Sequence, residues 1–258
     1  MKLSHRLIAF VMLLQLGSIA GLANPAPPQK ENPKDKEHAE QAVDSGSFGV
    51  FMNGHRVGTE TFSVIQDRTG SVIKSEFKTE NDPNGVGALQ SSEMHLNPNG
   101  EIRRYDWKEL SPERASSVVL PNDQFLTQKW NSESQGKERE QPYLLPPSTS
   151  ILDDYFFVHR EILVWKFLAA TCKQEKGEVQ CPLKQRSQFG TLDPRQHASA
   201  PMTAEYVGRE KIAFKGAQRE FNKIELKSDA GLWQLWLDDQ FKLVRIWIEG
   251  DNTEVIRD

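Results

Sequence analysis

The chain reads as mainly β, a single long antiparallel sheet curled as an unclosed half-barrel around one main α-helix. Three observations predict this. From Ser47 onward apolar and polar residues alternate with period two, the signature of half-buried strands. Turn sequences such as Asn53-Gly54, Asp82-Pro83-Asn84-Gly85 and Asn97-Pro98-Asn99-Gly100 break that pattern at intervals too short for crossover helices, which forces antiparallel pairing. One long helical pattern, Ser150 to Ala170, separates two runs of strands.

The N-terminus reads as an address. Lys2, His5 and Arg6 precede an apolar run from Leu7 to Leu14, and Gly21-Leu22-Ala23 offers the small residues a signal peptidase needs. Residues 1–23 are therefore expected to be a cleaved secretory signal, with an uncleaved anchor as the alternative. No cysteine follows the signal, which argues against lipid attachment there. Residues 24–45 are rich in Pro, Lys, Glu and Asn over much of their length and are expected to form a disordered leader before a single β-rich domain at 46–258. The whole chain carries a formal charge of −4; loss of Lys2 and Arg6 takes it to −6, a balance that gives no support to nucleic-acid binding.

Strands are expected at Phe48–Met52, Arg56–Gln66, Ser71–Thr79, about Ala88–Leu96, Ile102–Leu110, Arg114–Leu120 and Phe125–Trp130, followed by a polar loop and a short extended piece ending at Leu145. After the helix they resume at Thr203–Phe214, Arg219–Lys227, Leu232–Leu237, Lys242–Ile248 and Glu254–Ile256. Val57-Gly58-Thr59-Glu60 is echoed by Val207-Gly208-Arg209-Glu210. Glycine inside a strand usually answers a backbone need, so a bulge or bend is preferred there over an active site.

The helix pattern has Pro146-Pro147 before it, Ser150 as a candidate cap and Asp153 where a capping-box acid belongs. Its apolar residues surround the whole circumference, which predicts burial on more than one side. Its charges, including Arg160, Glu161 and Lys166, argue against a membrane span, and none is expected in the mature protein. Directly behind it, Cys172 and Cys181 are spaced to close a local hairpin by a disulfide, in keeping with an oxidising compartment.

No phosphate-binding loop, dinucleotide glycine pattern, nucleophile elbow or zinc-protease helix occurs, so no catalytic residue, metal or cofactor is assigned. His159 lies in the middle of the buried helix, where it either satisfies a structural hydrogen bond or meets a ligand. Trp165, Trp233, Trp236 and Trp247, with Phe156, Phe157 and Phe167, are expected to gather where the helix meets the final strands. That cluster is either an ordinary aromatic core or the lining of an apolar cavity. The candidate ligand-binding residues are Phe157, His159, Trp165, Phe167, Trp233 and Trp236.

Two stretches also carry a likeness. Ser47-Phe48-Gly49-Val50-Phe51-Met52-Asn53-Gly54 with Val57-Gly58-Thr59-Glu60, and Leu235-Trp236-Leu237-Asp238 with Leu243-Val244-Arg245-Ile246, resemble a broad group of bacterial exported proteins of the lipoprotein-carrier type, the LolA/LolB-like unclosed β-barrels. The similarity covers about Ser47 to Asp258, and its motifs are short and structural. It implies a periplasmic location, or secretion as the alternative, and a curved sheet whose concave face holds helices and sometimes lipid. One long helix where such carriers have more implies a smaller cavity, and no binding residue is carried over. The expected function is binding or carriage of a lipid or other apolar small molecule in the cell envelope. The alternatives are an envelope scaffold with a protein partner and a solid core, and a hydrolase in which His159 joins a carboxylate and a hydroxyl.

Overall fold

The computed structural model describes residues 40–80, 87–134, 136–175 and 178–258. The expected signal, the expected leader as far as residue 39 and the turn expected at Asp82–Gly85 lie outside them.

The first half is a meander of eight strands. It runs β1 (Gln41–Met52), β2 (His55–Asp67), β3 (Gly70–Thr79), β4 (Leu89–Leu96), β5 (Ile102–Ser111), β6 (Ala115–Asn122), β7 (Phe125–Ser132) and β8 (Arg139–Tyr143). Then come a two-residue strand β9 (Ser150–Ile151), the helix α1 (Val158–Thr171) and a hairpin of β10 (Lys173–Glu175) and β11 (Glu178–Gln180). The second meander is β12 (Arg186–Asp193), β13 (Ala198–Phe214), β14 (Ala217–Ser228), β15 (Gly231–Leu237), β16 (Leu243–Ile248) and β17 (Thr253–Arg257).

The first and last strands pair with each other, β1 with β17, and join the two meanders into one fifteen-stranded sheet. Its edges are β8 and β9, consecutive in the chain but not paired, so the sheet is curled and unclosed. Every pairing is antiparallel except β9 with β12. The inner face carries the alternating apolar residues, among them Phe48, Phe62, Ile73, Met94, Ile224, Leu235 and Ile246, and α1 lies against it with Val158, Leu163 and Phe167 fully buried. Asn97–Gly100 turns as expected, and Asn53-Gly54 adopts positive φ at both positions, as a tight hairpin requires.

Four expectations are corrected. The helix begins at Val158 rather than Ser150, because Ser150 and Ile151 pair with Thr191 and Leu192 and Asp153 folds its carboxylate back onto the Tyr155 amide at 3.2 Å. The leader ends earlier than residue 45, since β1 starts at Gln41; a register shift between Ala42 and Asp44 helps bring Asp44 into the interior, where it is 5% exposed. The segment between the cysteine hairpin and Thr203, expected as a connection, forms β12 and the start of β13. Trp236 and Trp247 lie on the opposite face of the sheet from α1, packed with Phe214, Phe221 and Val244.

The echoed Val-Gly pairs do share a backbone role. Val57 and Val207 are each the extra residue at a register shift, and Gly208 has φ +124°. At Gly58 a β-carbon would stand 2.4 Å from the Phe77 ring, so glycine is needed for close approach.

Candidate functional site

Three consecutive ionisable residues of α1, His159, Arg160 and Glu161, are all buried, and the sheet answers them differently. Ahead of them the helix N-terminus has no local side-chain cap. Glu60 of β2, far off in sequence, supplies one: its carboxylate accepts the Phe157 amide at 2.7 Å and the Val158 amide at 3.3 Å, and the Ser75 hydroxyl at 2.6 Å. A negative group at a helix N-terminus satisfies orphan amides and complements the dipole. Burial still pushes the Glu60 carboxyl up to about 7, against the opposing effect of those hydrogen bonds.

Arg160 donates to the carbonyls of Asp153 and Phe156 and lies over the Trp233 ring at 4.3 Å. Glu161 accepts the Leu243 amide at 3.2 Å. Burial and the neighbouring Asp44 hold its carboxyl well above the ordinary range, so it keeps its proton. Burial raises Asp44 too, but the hydrogen bond and charge of Arg257 at 2.7 Å, with Lys242 at 3.2 Å, prevail and keep it low. The two carboxyls are thus driven apart, Glu161 neutral beside an ionised Asp44, and one oxygen of each, Asp44 Oδ2 and Glu161 Oε2, is buried without a hydrogen-bond partner. A second polar group closes the interior under the helix start. Arg195, from the β12–β13 turn, stacks between Trp107 at 4.5 Å and Tyr155 at 4.4 Å, and bonds Gln90 and Asp153.

His159 has neither a carboxylate nor a hydroxyl partner: both ring nitrogens lack a hydrogen bond. Burial pushes it down to about 3, with Arg160 adding to the effect, so the imidazole is neutral. It lines a void of about 10 Å³, roughly the size of one water, together with Thr149, Ser150 and Lys166.

The C-terminal half of α1 is not fully enclosed. A cleft of about 590 Å³ opens between it and the inner ends of β1 to β4 on one side and β12 on the other. Ile162, Trp165 and Ala169 form its floor, with Val64, Leu96 and Phe189 among its walls. A second cleft of about 520 Å³ lies on the other flank of Trp165, bounded by Phe241 and by Cys172 and Val179 of the small hairpin. The Trp165 indole is fixed between the two by its hydrogen bond to the Phe241 carbonyl at 2.8 Å. The cysteine pair is a disulfide, with Cα atoms 4.5 Å apart, tying together the ends of that hairpin.

The six candidate residues are thus not one site. Trp165 lines both clefts; Phe157 and Phe167 are buried core; Trp233 lines a separate hollow of about 350 Å³ with Arg160 and Asp193. His159 touches only the small void, and Trp236 is on the outer face, its indole donating to Glu210 at 2.8 Å. Glu60, Lys166 and Thr149 were not singled out as site residues. For Glu60 there was a signal: it shares its strand face with Phe62 and Val64, an acid on an apolar stripe. Among the described residues no cluster of potential metal ligands occurs, and no helix is long and apolar enough to cross a membrane.

No protein-family model and no curated protein matches the chain. One similar solved structure is the crystal structure of a DUF1089 family protein from Pseudomonas aeruginosa, 9% identical, covering 76% of this chain and 91% of that one with a TM-score of 0.45. That likeness is too distant to carry a fold or a function across.

Proposed function

We propose that the protein binds one apolar, chain-shaped small molecule in the cleft beside Trp165, as an exported protein of the bacterial envelope that resembles the lipoprotein carriers. The observation that carries this is the cleft itself. Elsewhere α1 fills the sheet with fully buried side chains, yet at Trp165, Ala169 and Ala170 it leaves about 590 Å³, within the range of small-molecule sites. Mostly apolar walls with a few polar groups are what such a site needs. The disulfide supports an oxidising compartment, which the periplasm and the exterior both provide.

Native mass spectrometry of the protein purified from bacterial envelope, before and after delipidation, tests the reading. It expects one reproducible added mass, lost in an Ala169→Trp variant whose new ring fills the cleft. A single apo mass that persists after incubation with envelope lipids would refute it. A scaffold with a protein partner is the second reading, favoured by the solid packing of Phe156, Leu163 and Phe167. The hydrolase reading lacks its required feature, since His159 has no hydrogen-bond partner.

A further inference from the structure

The geometry points to a ligand with an acidic head: the cleft takes a long-chain carboxylate, its chain against Trp165 and Ala169 and its head group on Lys166 and Thr149. This inference rests on the apolar-ligand reading and names the ligand class.

The first observation is the state of Lys166. Its ammonium has three donors, and the structure engages two of them, with the Ser148 carbonyl at 2.8 Å and the Ser150 hydroxyl at 3.1 Å. Both partners are neutral, and Lys166 makes no ion pair among the described residues. A cation held against apolar walls without a counter-ion is under-compensated, and burial accordingly pushes it down to about 8, opposed by the more remote charge of Glu101.

The second observation is independent of charge. Thr149 is 1% exposed, and its hydroxyl has no hydrogen-bond partner. It lines the same cleft as Lys166. Buried hydroxyls are nearly always bonded, so an orphan one in the same cleft as an uncompensated ammonium marks a place built for an acceptor. One free ammonium donor and one hydroxyl donor match the two oxygens of a carboxylate.

The third observation is what else faces the cleft. Its remaining polar side chains are neutral amides and hydroxyls, including Asn97, Asn99 and Gln188, and among the described residues no Asp, Glu or Arg lines it. The site therefore carries a single positive charge. It complements one negative charge and offers nothing to a cationic head or to a second anionic one.

The test compares hexadecanoic acid with hexadecanol by isothermal titration, using the purified, delipidated protein. The acid is expected to bind about tenfold tighter or more, the value of a charge-assisted hydrogen bond. Lys166→Met should reduce the acid to the affinity of the alcohol while leaving the alcohol unchanged, which also shows that the variant is folded. Thr149→Val, nearly isosteric, should weaken the acid several-fold and spare the alcohol; with the wild-type comparison it decides the matter if Lys166→Met does not fold. Equal binding of acid and alcohol, or preference retained in Lys166→Met, overturns the acidic head and leaves the apolar-ligand reading intact. Tighter binding of a hexadecyl phosphodiester than of the acid overturns the carboxylate assignment. If none of these chains binds, the apolar-ligand reading fails first and the inference with it.

Discussion

Glu60→Gln removes the ionisable group beneath the helix start but keeps an oxygen for the Phe157 or Val158 amide, so its effect on stability depends on pH. In the folded protein the Glu60 carboxyl titrates near 7, against 4.5 for an unperturbed glutamate. Between those values the folded protein holds a proton that the unfolded chain has released. The wild type is therefore favoured by this group below pH 4.5 and loses that contribution as the pH climbs to 7. At about 1.4 kcal/mol per pH unit over 2.5 units, the loss is about 3 kcal/mol. Glutamine does not titrate, so the wild-type advantage over Glu60→Gln should shrink by about 3 kcal/mol between pH 4.5 and 7.5. Other titrating groups contribute to both proteins and cancel. Urea unfolding followed by circular dichroism at a series of pH values measures this difference directly. Glu60→Ala should be worse at every pH. It strands two buried amides and the Ser75 hydroxyl, at about 1–3 kcal/mol for each group left unsatisfied. A wild-type advantage over Glu60→Gln that stays flat from pH 4.5 to 7.5 would refute the argument that Glu60 is a desolvated cap.

Three further outcomes follow from the same structure. His159 is held near 3, against 6.5 unperturbed, so the wild type should lose about 5 kcal/mol from this group as the pH falls through that interval; His159→Leu should abolish that part of the acid sensitivity, and an unchanged acid midpoint would count against a buried neutral imidazole. Trp236→Ala should cost about 3 kcal/mol by emptying the outer-face cluster, yet leave ligand binding unchanged in the titration that Trp165→Ala weakens. Replacing Cys172 and Cys181 together by alanine should lower stability by about 2–3 kcal/mol in the chain-entropy model, measured by denaturant unfolding under oxidising conditions.

The meander was legible because its signals are local. Period-two alternation and turn pairs such as Asn53-Gly54 depend only on neighbouring residues, and so does the spacing of Cys172 and Cys181. The helix start was not legible, because its cap comes from Glu60 on another strand while the nearby Ser150 and Asp153 serve a strand pair and a turn. Strand β12 was hidden because Arg186–Asp193 alternates weakly and carries Gly190. Asp44 looked like part of a solvated leader until Arg257, at the far end of the chain, supplied its partner. The aromatic grouping was the opposite case: period two already forbids Trp233 and Trp236 from sharing a face of one strand, and their common apolarity obscured it. Lys166 and Thr149 read as ordinary polar residues, since only the folded structure places an ammonium without a counter-ion among the described residues in one cleft with an unpartnered hydroxyl.

The most direct measurement is a crystal structure of the protein with a long-chain carboxylic acid brominated at its far end, with the bromine located by anomalous scattering. The account predicts one bromine peak in the cleft between α1 and β12, beside Trp165, with the carboxylate at Lys166. A peak on the outer face near Trp236, or no ordered bromine at ligand concentrations that saturate the protein in solution, would contradict it.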